Sequence, residues 1–144
     1  MKLEEMILRS ELKREKPVPG EVDRLVETIE RRLHDAQYKG IHPETRLEQA
    51  YHVIFGCALV ALRVCGLRPA DRPGHHVVAL ESLTATLDVP LERVDYFQTL
   101  RALRNKDLYT GGTHISDAEA VEAVAAALAL AGELKAWLLE RKAS

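Results

Sequence analysis

The sequence predicts an all-α protein, an antiparallel bundle of four to five helices with an N-terminal helical arm. Three observations carry this expectation. Apolar residues recur by threes and fours through most of the chain, the spacing of a helix with one face in a core. Glycine and proline clusters interrupt that pattern at short loops. No segment alternates apolar and polar residues with period two, so strands are not expected.

Residues Lys2 to Lys16 mix Leu3, Met6, Ile7 and Leu12 with many charges, and Pro17, Pro19 and Gly20 then break the pattern. This gives a weakly helical arm over residues 1–20, which could pack on the body, cover a partner or fray. The bundle follows over residues 21–144. Val22, Leu25, Val26, Ile29 and Leu33 mark one face of its first helix. Pro43 suits the first turn of the next helix, and Gly66 its stop. Leu47, Ala50, Ile54, Cys57, Ala58, Ala61 and Cys65 form the inner stripe of that helix. From Val53 on it is apolar nearly all round, Arg63 excepted, as a central helix would be, and Gly56 would let a neighbour come close.

His75 and His76 open a further helix with Val77, Val78, Leu80, Leu83 and Leu87 as apolar positions, and Pro90 restarts the chain. The following helix turns Leu91, Val94, Phe97, Leu100 and Leu103 inward and ends at Gly111-Gly112. Ser116-Asp-Ala-Glu119 has capping-box spacing and starts the last helix. There Val121, Val124, Leu128, Ala131, Leu134 and Leu138 mark the apolar stripe, with Trp137 as a large anchor.

A chain of 144 residues, 47% hydrophobic and 29% charged, has the size and composition of one globular domain. Its net charge of −2 provides no global basic field, so any anion binding must be local. Aromatic residues at 5% argue against a base-stacking platform. Cys57 and Cys65 lie eight apart in one helical segment, about 12 Å of rise, too far for a disulfide. Free thiols, no cleavable apolar leader and no apolar run near ~20 residues predict a cytoplasmic protein with no membrane span.

The chemistry concentrates in Arg101-Ala-Leu-Arg104-Asn105-Lys-Asp-Leu-Tyr109. Helical stacking four apart aligns Arg101, Asn105 and Tyr109, with Arg104 beside them, a stripe suited to gripping a phosphate. Structural roles compete with that reading. Arg104 could pair with Asp107, Arg101 with an acid on a neighbouring helix, and Tyr109 could cap the bundle with its ring buried. Glu48 and Glu81 could face a cleft. No metal and no cofactor are expected. Adjacent His75 and His76 diverge by about 100° on a helix, and no His-Glu-x-x-His or Cys-x-x-Cys spacing occurs. His34, His42 and His52 receive no role.

The Arg104-Asn105-Lys-Asp-Leu-Tyr109-Thr-Gly stretch, Gly74-His75-His76 upstream and the helix carrying Ala50-Tyr51, Ala58 and Ala61-Leu62 together resemble HEPN-domain proteins, over about Glu21 to Ala136. The resemblance implies a four- to five-helix bundle that dimerises. It also implies a cleft at the dimer interface lined by an Arg, a polar residue just after it, and a His four to six residues beyond. Many members are metal-independent ribonucleases of toxin–antitoxin or defence systems. Others are non-catalytic partners or RNA-binding modules, some beside a nucleotidyltransferase.

Arg104 matches the family arginine and Asn105 the polar residue. Tyr109 stands where the shortest spacing would place the histidine, and His114 lies beyond the longest. The leading expectation is therefore a homodimeric HEPN-like binding module. Arg101, Arg104, Asn105 and Tyr109 would face RNA, a nucleotide or a protein partner. One alternative is a metal-independent endoribonuclease using Arg104, Asn105 and a displaced His114. The other is a non-catalytic antitoxin-like partner of a toxin or nucleotidyltransferase.

Overall fold

The computed structural model describes residues 2–111 and 115–143, and its regular structure is helical except for one short ribbon. Its elements are α1 (Lys2–Leu8), β1 (Leu12–Arg14), α2 (Glu21–Gln37), α3 (Pro43–Val64), β2 (Leu67–Pro69), α4 (His75–Glu81), α5 (Leu83–Thr86), α6 (Leu91–Thr110) and α7 (Asp117–Ala143). The expected all-α bundle is what forms.

α3 is the central helix because its sequence is apolar on nearly every side. Leu47, Ala50, Tyr51, Val53, Ile54, Cys57, Ala58, Val60, Ala61 and Leu62 are all buried, and α2, α6 and α7 pack around them. Cys65, at the end of the expected stripe, is only half-buried. Gly56 fits the close approach of α2, since a Cβ there would lie 2.9 Å from Ile29 Cγ1. Gly66 ends α3 with φ at +75°, a backbone state that side-chain-bearing residues avoid. Among the described residues α3 is the one helix with the length and hydropathy to cross a bilayer, and its burial makes it the bundle's core helix instead.

The expectation of no strands needs correction. β1 pairs antiparallel with β2, Leu12 opposite Pro69 and Arg14 opposite Leu67. Three residues per strand cannot display a period-two pattern, so the sequence carries no signal for them. Leu12, 2% exposed, and Met6 join the core, so packing on the body is the fate the arm takes.

Arg63, the exception on the central helix, is also buried, at 1% exposure. Its Nε donates to Glu21 Oε2 at 2.8 Å, and its Nη1 donates to the carbonyls of Glu15 at 2.8 Å and Leu67 at 3.0 Å. One guanidinium thereby fastens the start of α2, the segment leading into α2 and the start of β2.

α7 departs from its expected stripe. Val121 and Leu128 are exposed, while Ala120, Ala123, Val124, Ala127, Leu130 and Leu134 are buried. Alanines carry much of the buried face because small side chains let α7 lie close to α3, and reading by bulk alone overlooks them. Leu91 is likewise exposed at the first turn of α6. The Ser116 capping box forms as expected, with Glu119 N–H donating to Ser116 Oγ at 3.1 Å and Ser116 N–H to Glu119 Oε1 at 2.9 Å.

Candidate functional site

The site is assembled from three helices. On α3, Glu48, Tyr51, His52 and Phe55 follow one another at helical three- and four-residue spacing along one side. β2 and the turn after it deliver His75 and His76 to the first turn of α4. α6 contributes Gln98, Arg101, Arg104 and Asn105.

Aromatic rings form the floor. His76 stacks on Phe55, with centroids 4.0 Å apart and planes 13° from parallel, and its Nδ1 lies 2.8 Å from the Tyr51 hydroxyl. The tautomer of His76 decides which of the two donates. The Arg104 guanidinium carbon lies 5.8 Å from the Tyr51 ring centroid, a cation–π contact that spreads the arginine over the floor. Arg104 Nη1 donates to Asn105 Oδ1 at 3.2 Å, and Nη2 reaches Glu48 Oε1 at 3.4 Å. The same Glu48 oxygen is 3.8 Å from His52 Nε2. Arg104 Nε is buried and has no hydrogen-bond partner among the described residues.

Gln98 braces the α6 side. Its Nε2 donates to the Val77 carbonyl on α4 at 3.1 Å, and its Oε1 accepts from Arg101 Nε at 3.0 Å. Arg101 lines a cleft of about 380 Å³ between α4 and α6, together with Glu81 and Asp95. From the α2 side, Arg32 donates to Gln49 at 3.1 Å and acts on His52 beside Arg104.

Electrostatics keep both histidines neutral near pH 7. Burial, then His75, Arg104, His52 and Arg101, push His76 down to about 4. His52 is lowered by burial and by Arg32 and Arg104, with Glu48 opposing. Burial raises the Tyr51 hydroxyl to about 12 against the pull of Arg101 and Arg104. Burial is the larger cause at both imidazoles, and the neighbouring guanidinium groups add to it.

The structure brings together Arg101, Arg104 and Asn105 of the expected stripe, and leaves Tyr109 out. Tyr109 is 80% exposed in the last turn of α6, beside exposed Leu108, so a buried-ring cap is not its role. His114 lies outside the described residues. Among the described residues Arg104 turns to Glu48 rather than Asp107, and Arg101 to Gln98 on its own helix rather than to an acid on a neighbouring one. Glu48 does face the site and Glu81 the neighbouring cleft. Sequence reasoning missed Tyr51, His52 and His76 as partners of Arg104, and Phe55 as the ring beneath His76; three- and four-residue spacing from Glu48 to Phe55 was the available signal.

Among the described residues no cluster of His, Cys, Asp and Glu could hold a metal ion. His75 instead approaches the Arg72 carbonyl at 3.2 Å, a local contact. No family model, curated protein or solved structure matches the chain.

Proposed function

We propose that this chain is a HEPN-like binding module, homodimeric and cytoplasmic, whose Arg101, Arg104 and Asn105 face takes the phosphates of RNA. The observation that carries the reading is Arg104. It is a mostly shielded guanidinium on an aromatic floor, with an Nε that has no acceptor among the described residues, in a protein of net charge −2. A phosphate supplies the acceptors such a group lacks, and the fork of Arg suits it. Leu108 and Tyr109, exposed at the end of α6 outside the site, offer apolar surface suited to a second copy.

Fluorescence anisotropy with a short single-stranded RNA tests this reading. Native protein should bind with an affinity that falls steeply with salt, and Arg104→Ala should weaken binding and reduce the log–log salt slope by about 0.7. Light scattering should give about twice the 16.1 kDa chain mass. RNA binding indifferent to Arg104 and salt would sink the reading, and a stable complex with another protein in its place would favour the antitoxin-like alternative.

Endoribonuclease chemistry is supported as a second reading by one observation. His52 and His76 lie neutral beside Arg104, where the Arg-Asn stretch itself has Tyr109. In that reaction His52 takes the 2′-hydroxyl proton and the oxygen attacks the adjacent phosphorus. The 5′ oxygen leaves with a proton from water, giving a 2′,3′-cyclic phosphate, while Arg104 stabilises the crowded phosphate. Cleavage in excess EDTA that is lost in Arg104→Ala and His52→Ala supports it. Loss in His114→Ala alone assigns the base to His114, and no cleavage by native protein leaves binding as the function.

A further inference from the structure

Three arginine–carboxylate pairs in this molecule have very different geometries. Arg93 and Glu133 meet through two contacts of 2.7 and 2.8 Å, and Arg63 meets Glu21 at 2.8 Å. These are the lengths of closed, charge-assisted pairs, roughly 2.7–2.9 Å. Glu48 touches Arg104 at 3.4 Å and His52 at 3.8 Å, through a single oxygen in both cases. Its side chain is 39% exposed, so water can reach it and it has room to turn outward. Beside it, Arg104 Nε stays buried without an acceptor among the described residues.

We infer that the Glu48 carboxylate is an internal anion resting in the Arg104 site, displaced outward when a phosphate binds there. This rests on the phosphate-binding reading of Arg104 and assigns the site its regulation. A phosphate presents several acceptor oxygens and can engage Nε and Nη2 of Arg104 side-on together, whereas Glu48 engages only Nη2. The ligand therefore gains a contact that the resident carboxylate leaves unmade. Glu48 in turn lowers the apparent affinity, because its place must be vacated and its charge stays nearby. Arg101, Arg32 and Asn105 hold the remaining cationic and polar positions, so the site keeps its preference for anions after Glu48 leaves.

The test is anisotropy with a labelled single-stranded RNA of mixed sequence, using the full chain as native protein, Glu48→Gln, Arg104→Ala and the double variant, each checked by thermal melting. Glu48→Gln keeps the shape of the side chain and removes its charge. It should bind on the order of tenfold more tightly than native protein. That gain should vanish in the double variant, which should bind no better than Arg104→Ala. Equal or weaker binding by Glu48→Gln, with native binding still dependent on Arg104, overturns the inference and leaves the phosphate site standing; Glu48 would then be a positioning residue for Arg104. A gain that persists without Arg104 also overturns it, as an effect of net charge. Binding by neither native protein nor Glu48→Gln overturns both readings together.

Discussion

Arg63 and Arg104 both sit on helices of the bundle, and they end up in opposite states. Arg63 is buried to 1% exposure and saturated: Glu21 takes Nε and Nη2, and two main-chain carbonyls take Nη1. Arg104 keeps 19% exposure, reaches Glu48 only at 3.4 Å, and leaves Nε without an acceptor among the described residues. A buried charge left with unmet donors destabilises a fold, so a saturated arginine is a structural fastener. An under-satisfied one at an accessible edge marks a place where a ligand completes the set. The contrast separates scaffold from site without any appeal to residue type.

The comparison breaks if the two arginines respond alike to truncation. Arg63→Ala strands the half-buried Glu21 carboxylate and the two carbonyls, and should cost about 3–5 kcal/mol. In a chain of this size that lowers Tm by roughly 10 °C, read by circular dichroism. Arg104→Ala should cost no more than about 1 kcal/mol, while RNA affinity falls. A melting temperature for Arg63→Ala matching native protein would remove the distinction.

Acid sharpens it. Hydrogen bonds from Arg63, together with one from the Val18 N–H, hold Glu21 down to about 2, against an ordinary 4.5. The folded state therefore favours its ionised form. The stability Glu21 contributes is present above pH 4.5 and is lost as pH falls toward 2. His76 loses its contribution in a higher window. Its folded value near 4 lies below the ordinary 6.5, so the unfolded chain binds the extra proton and stability declines as pH falls from 6.5 to 4. Denaturation midpoints followed across pH should show both declines, Glu21→Gln removing the lower and His76→Gln the upper. NMR titration should find the His76 ring still neutral at pH 5.

The smallest effect belongs to Tyr109. With its ring in solvent, Tyr109→Ala should change stability by less than about 0.5 kcal/mol and leave the salt slope of RNA binding intact. A large loss of affinity there would widen the site beyond Arg104 to the end of α6.

Much of the scaffold was legible because its signals are local. Pro43 at a helix start, Gly66 at a stop, and the reciprocal Ser116–Glu119 bonds each act within a few residues. The site was half legible: periodicity aligned Arg101, Arg104 and Asn105 but could not say how far the neighbouring helices extend, and among the described residues Tyr109 stays exposed. Tyr51, His52 and His76 became partners of Arg104 only when α3, α4 and α6 met. Glu21 and Arg63 are 42 residues apart in sequence, so their pairing is a property of the fold and of no window read along it.

The β1–β2 ribbon carries a consequence for synthesis. β1 is made long before β2, with all of α2 and α3 between them. Leu12 and Met6 therefore wait as exposed apolar groups until the central helix has been completed and Gly66 has turned the chain back. Closing so distant a pair is slow relative to helix formation, so the ribbon should be among the last parts to lock. The arm, made before the helices it packs on, is thus fastened late, and until then its apolar side is open to any chaperone or neighbouring chain nearby.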